Sequence, residues 1–301
     1  MGFDTSAPWN WEEISRELAP SYQTFGFRSL GEVGNIVSCA HNCGAKDPTV
    51  YVRVYAPGTS SFDPTDARTG QPVDVNGRDG FFRAETWNTP ARDGQNLSDL
   101  DAMLTWQYAD NAWATVQGAS TTTSGLDRLL ELARALRPDE RTPARAPLSL
   151  ANLPVGMQLA SVYQNFVPMS AGAEYGTKLR FAPCEFPKAE DCLRDDDERI
   201  GSLTVQIWHR DDYTDEDDRV EVDRQIGGKN GRYDSLEFWA GVLPEKGLYV
   251  EFDVIPPSNP LPTAKERDAL TSQFERTLDS VRWAPDPGNE SAWPPITEWV
   301  K

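Results

Sequence analysis

The chain predicts an α+β fold built twice: two tandem units, each a curved antiparallel sheet packed with a helix. Three observations predict it. The alternating segment Val50-Tyr-Val-Arg-Val54-Tyr55 returns in phase, 153 residues later, as Leu203-Thr-Val-Gln-Ile207-Trp208. Asn76-Gly77-Arg78 returns as Asn230-Gly231-Arg232. Asn-Gly between extended segments favours a type I′ hairpin, because both turn residues need positive φ. Each half then closes on an apolar stripe at helical spacing, Leu129, Ala133 and Leu136 in the first and Phe274, Leu278 and Val281 in the second. A length of 301 residues accommodates two such units.

Taken in order, residues 1–20 predict a leading helix. Asn10 suits the N-cap, Glu13 the third helical position of a capping box, and Trp11, Ile14 and Leu18 a buried stripe. Unit 1 spans 21–138. After the Asn76-Gly77 hairpin, Leu104, Trp106 and Tyr108 share one face, Asp110-Asn111 turns the chain, and Trp113 begins the return. Residues 139–147 read as a Pro- and Arg-bearing linker. Unit 2 spans 148–285, and its strand Leu248-Tyr-Val250-Glu-Phe252-Asp-Val254 alternates with Leu248, Val250, Phe252 and Val254 inward. Leu30-Gly-Glu-Val33-Gly34 resembles Leu153-Pro-Val-Gly156 at the smaller offset of 122. The jump in offset predicts an acidic, cysteine-containing insertion in unit 2. Residues 286–301 form a Pro/Trp tail, expected to lie extended and held by Trp293 and Trp299.

Four cysteines fall in two close pairs, Cys39 with Cys43 and Cys184 with Cys192. An even count in local pairs suits an oxidising compartment and predicts disulfides, although four cysteines admit three pairings. Two other readings stand beside it: four reduced thiols in the cytoplasm, or a metal site in which Cys39-Ala-His41-Asn-Cys43 is joined by Cys184 or Cys192. The first twenty residues have no charged-then-apolar signal layout, and no apolar run approaches the ~20 residues a bilayer requires. Taken literally, that points to the cytoplasm, but the cysteine pairs point outward: the expected location is extracytoplasmic, without a visible anchor, and the alternative is cytoplasmic.

The net charge of −18 argues against a nucleic-acid surface and against a basic membrane-surface helix. No catalytic residue is assigned. Gly172-Ala-Glu-Tyr-Gly176-Thr177-Lys178 has one spacer too few for a phosphate loop, and its Thr precedes its Lys. His209 beside Asp211 and Asp212 lacks a nucleophile elbow. No cofactor is expected. Residues 185–218 hold thirteen acidic and four basic residues. Within them Asp211, Asp212, Asp215 and Asp217 offer oxygens to Ca²⁺, without the spacing or the turn glycine of an EF-hand. Trp208 and Trp239 are out of phase with the apolar face of their strands. This places them on the opposite face as candidate recognition residues.

The aromatic hairpin "LTWQYADNAWATV" followed by "LLELARAL" resembles the extracytoplasmic domains of actinobacterial membrane-anchored proteins of unknown function. The resemblance covers residues 24–138 well and 148–284 loosely. The excess of Arg over Lys, 22 to 7, resembles the composition of high-GC bacteria. The resemblance implies a location and a sensor- or lipoprotein-like fold, not an activity. The expected function is a noncatalytic, extracytoplasmic, partner- or ligand-binding domain of a bacterial envelope protein. Its partner would be a protein or small ligand, not nucleic acid. The alternatives are a hydrolase with a non-motif carboxylate site, which predicts convergent carboxylates with perturbed pKa values, and a structural or assembly subunit.

Overall fold

Short runs of alternating apolar and polar residues dictate strands rather than helices over most of the described residues. The computed structural model describes residues 2–4, 11–19, 22–29, 49–58, 65, 67–90, 96–118, 125–139, 145–166, 175–183, 201–209, 224–245, 247–256 and 262–296. The chain divides into two compact units, Met1–Glu17 with Ser21–Thr142, and Leu18–Pro20 with Pro143–Lys301.

The first unit holds β1 (Gly2–Asp4), β2 (Trp11–Leu18), β3 (Tyr22–Ser29), β4 (Thr49–Tyr55), β5 (Gln71–Val75), β6 (Arg78–Pro90), β7 (Asn96–Ala109), β8 (Ala112–Gly118), α1 (Leu126–Ala135) and β9 (Arg137–Asp139). Its strand order is β2-β3-β4-β8-β7-β6-β5, antiparallel from β3 onward, and β1 pairs with β9. Phe25, Phe27, Val52, Leu104, Trp106 and Val116 supply the strand side of its core, and Leu129, Leu132 and Ala133 of α1 the helix side.

The second unit holds β10 (Leu148–Leu150), β11 (Gln158–Asn165), β12 (Tyr175–Ala182), β13 (Ser202–His209), β14 (Arg224–Ile226), β15 (Lys229–Asp234), β16 (Trp239–Glu245), β17 (Leu248–Ile255), α2 (Ala264–Asp279) and β18 (Val281–Trp283). The order is β11-β12-β13-β17-β16-β15-β14, with β10 paired to β18. Every strand thus has a counterpart in the first unit. Registers agree as well: Phe25–Val52–Val116 is the cross-strand row that Leu179–Val205–Phe252 occupies in the second unit. Phe274 and Leu278 of α2 enter this core, as do Trp293 and Ile296 of the tail. Trp299 lies outside the described residues.

The tandem α+β expectation does not hold. Among the described residues eighteen strands stand against two α-helices, and extended antiparallel sheet dominates the protein. Within the span 1–20 expected as a helix, the described residues form strands β1 and β2. Trp11, Ile14 and Leu18 fall at helical spacing, yet Glu13 does not cap a helix. It holds Arg16 in a two-pronged ion pair of 2.8 and 3.0 Å.

Two alignments of the halves are also corrected. Asn76-Gly77 is a hairpin turn with φ of 55° and 78°, but its counterpart is Gly227-Gly228, while Asn230-Gly231 lies inside β15. Gly80 and Gly231 are the equivalent positions, each packed beneath the branched residue that ends the preceding strand, Val75 or Ile226. The predicted insertion disappears, because Leu153–Gly156 precedes β11, the counterpart of β2. The β3–β4 and β12–β13 connections, 30–48 and 183–201, are both nineteen residues long. Both cysteine pairs therefore fall in the same connection of their respective units. Cys39, Cys43, Cys184 and Cys192 themselves lie outside the described residues.

Candidate functional site

Strand alternation sends one side chain to the core and the next to the opposite face. In β17 the core takes Leu248, Val250, Phe252 and Val254, so Tyr249, Glu251 and Asp253 share the outer face, each half-buried. Pairing carries this face across the sheet. Lys178 on β12 lies opposite Gln206 on β13, which lies opposite Glu251, then Gly241 on β16, then Arg232 on β15. Tyr163 on β11, 38% exposed, extends the row beyond Lys178. Six strands at ~4.8 Å spacing make a row of about 24 Å.

Trp208 and Trp239 flank this row on the outer face. Trp208 stands opposite Tyr249 and Trp239 opposite Asp253. Glu251 draws them together. Its Oε1 accepts the Trp239 indole N–H at 3.1 Å and the Tyr249 hydroxyl at 3.4 Å, and its Oε2 accepts the Trp208 indole N–H at 3.3 Å. One carboxylate thus anchors the polar ends of three aromatic side chains. Arg232 lies 5.9 Å from the Trp239 ring centroid.

Gly241 makes the arrangement sterically feasible. A Cβ there would meet the Trp239 ring carbons at 2.8 and 2.9 Å and collide with the Tyr249 hydroxyl. The rings therefore lie across bare backbone. Phe238, immediately before Trp239, is buried and holds φ at 55°, the left-handed conformation usually left to glycine. Asp234 stabilises that turn by accepting the Leu236 and Glu237 amides at 2.8 and 3.2 Å.

Burial pushes the Asp253 carboxyl above its ordinary value. The neighbouring Glu251 charge adds to the shift and Lys178 opposes it. Chemically, the cluster can order aromatic rings and present hydrogen-bonding groups beside them. Three of the roughly four lone-pair positions of the Glu251 carboxylate are already engaged.

The first unit does not repeat this cluster. Its equivalent row is Thr24–Arg53–Thr115–Thr105–Phe81. Thr115 stands in the place of Glu251 and Thr105 in the place of Gly241. Thr105 is buried, and its hydroxyl finds no hydrogen-bond partner among the described residues.

The expected recognition residues Trp208 and Trp239 are thus brought to one carboxylate. Asp211, Asp212, Asp215 and Asp217 lie outside the described residues. Among the described residues, no group of three His, Cys, Asp or Glu is placed to hold a metal ion. Sequence reasoning missed Glu251, Tyr249, Lys178, Arg232 and Gly241. The signal for Tyr249, Glu251 and Asp253 was present in the alternation of Leu248–Val254, whose outward positions went unread.

No family model matches this chain, and neither does any curated protein. Among solved structures, a Bacteroides thetaiotaomicron protein is similar over 51% of this chain, with 12% identity and a TM-score of 0.28. The chain spans about half the length of that protein, 50%.

Proposed function

We infer that this protein is a noncatalytic binding protein of a bacterial envelope, located outside the cytoplasmic membrane, and that the outer face of the second unit's sheet is its recognition surface. The observation that carries the reading is the convergence of Trp208, Trp239 and Tyr249 on Glu251. Rings fixed by a shared hydrogen-bond acceptor lose little freedom on contact with a ligand, so little of the contact energy is spent on ordering them. The paired cysteines of the sequence suit the location.

The test is cosedimentation with purified bacterial cell-wall sacculi bearing their attached glycopolymers. Wild-type protein is expected in the pellet and a Trp208→Ala/Trp239→Ala variant in the supernatant. Equal pelleting of both, or pelleting of neither, overturns the assignment of this face.

One observation favours a second reading, a carboxylate hydrolase: Asp253 is raised beside Glu251 on the same face. That reading requires release of reducing ends from the sacculi and its loss in Asp253→Asn.

A further inference from the structure

We propose that the ligand of this face is a neutral glycan, stacked on the Trp208–Trp239–Tyr249 cluster and hydrogen-bonded along the row from Tyr163 to Arg232. The proposal rests on the binding role argued above and narrows it to one chemistry.

Charge selects the ligand. Among the described residues, the outer face of β11–β17 carries Lys178, Arg180 and Arg232 against Asp234, Glu251 and Asp253, three cations interleaved with three carboxylates. A cationic ligand would gain at Glu251 and Asp253 and lose at the flanking Lys178 and Arg232. An anionic ligand would meet the reverse, in the field of a chain whose net charge is −18. A neutral ligand meets no such opposition.

Hydrogen bonding narrows the ligand further. Both indole N–H groups and the Tyr249 hydroxyl are directed into Glu251, so the rings offer a ligand their carbon surfaces. Beside them stand Lys178 and Arg232 as donors, Gln206 as donor and acceptor, and Asp253 as acceptor. A ligand that pairs apolar C–H faces with hydroxyls able both to donate and to accept fits this alternation, and a pyranose is such a ligand. The row of about 24 Å, with exposed Tyr163 at its far end, suits an extended chain of several sugars rather than one.

The experiment is affinity electrophoresis of the full chain through gels containing laminarin, hydroxyethylcellulose or glycogen as neutral probes, polygalacturonate as the anionic probe and glycol chitosan as the cationic one. Retardation by at least one neutral probe is expected. Affinity should fall about tenfold or more in Trp208→Ala/Trp239→Ala and in Gly241→Ala, which keeps both indoles but displaces them. Tyr163→Ala, a change at an exposed position that leaves the core intact, should cost a few-fold. Retardation by neutral probes that these variants leave unchanged overturns the proposal. So does retardation by charged probes alone. If sacculi still bind through the two tryptophans while no neutral probe retards the protein, the glycan assignment fails and the binding reading stands. If sacculi do not bind either, both fail.

Discussion

Replacing Glu251 with Gln keeps the shape of the side chain and removes its charge and one acceptor. The amide oxygen can still serve Trp239 and Tyr249, but the NH2 group then faces the Trp208 indole N–H, donor against donor. One charge-assisted hydrogen bond is lost. Such bonds contribute about 1.5–3 kcal/mol. The side chains here are half-buried, so water recovers part of that, and the expected cost is about 1.5 kcal/mol. With an m-value of about 2 kcal/mol/M in urea, the unfolding midpoint falls by about 0.7 M. The assay is urea unfolding followed by tryptophan fluorescence, run for Glu251→Gln in the wild-type background and again in Trp208→Phe. Phenylalanine has no N–H, so in that background the amide meets no opposing donor and the cost shrinks by about 1 kcal/mol. An equal cost in both backgrounds refutes the assignment of Glu251 as the acceptor for Trp208.

Further outcomes follow from other positions. Asp253 has a folded-state pKa above its unfolded value, so its contribution to stability is fully present below the unfolded pKa and is lost as pH rises through the folded one; Asp253→Asn should therefore raise the urea midpoint at pH 7 and leave it unchanged near pH 3. Burial pushes Tyr108 up to about 12, and its hydroxyl donates to the Tyr55 carbonyl at 2.7 Å. Its contribution is complete below pH ~10 and is lost from there up through pH ~12, so ultraviolet titration of the folded protein should show a tyrosine that ionises only near pH 12 and that Tyr108→Phe removes. Asn76 turns a hairpin at φ 55° and donates to the Arg134 carbonyl at 3.0 Å, whereas Asn230 sits exposed within β15. By urea unfolding, Asn76→Ala should cost about 1 kcal/mol and Asn230→Ala a few tenths. Gly77 has open space around it but positive φ, while a Cβ on Gly231 would meet the Gly241 carbonyl at 2.8 Å and Ile226 at 2.9 Å; Gly231→Ala should destabilise more than Gly77→Ala.

What the sequence made legible was the strand signal. The 153-residue match of Val50–Tyr55 with Leu203–Trp208 is the true register, because both segments alternate under a buried face and a one-residue slip would invert every side chain. The aromatic hairpin of β7 and β8 turns at Asp110-Asn111 as its residues dictate. The helix reading of 1–20 failed because three apolar residues at spacings of three and four do not distinguish a helix from a strand over so few positions. The Asn-Gly match failed because the strongest local turn signal was followed rather than the hairpin of the second unit, which turns on Gly227-Gly228. Thr263-Ala-Lys-Glu266 spells a capping box in plain sight, and the structure forms it, with the Thr263 hydroxyl and the Glu266 amide 3.3 Å apart. The candidate site was half legible. Phase alone puts Trp208 and Trp239 on the outer face, but Glu251 becomes their common partner only through the pairing of β13, β17 and β16, which no local pattern encodes.

The two units share strand order and core register, so the difference in their outer rows measures how far the sequence has departed while the scaffold stayed. The departure is coupled. Placing a glutamate at Thr115 would not rebuild the cluster in the first unit, because Thr105 occupies the position of Gly241 and its Cβ stands where the Trp239 ring lies in the second. Met103 stands at the place of Trp239 and Tyr55 at the place of Trp208, so that unit lacks both indoles. Four positions, those of Trp208, Trp239, Gly241 and Glu251, therefore differ together between the two units, all on the sheet face away from the helix. A carboxylate without the bare backbone opposite it would sit half-buried with no indole to satisfy it, which costs stability. Glu251 and Gly241 are therefore one structural unit, and a variant of either should be rescued only by changes at the other or at the rings they hold.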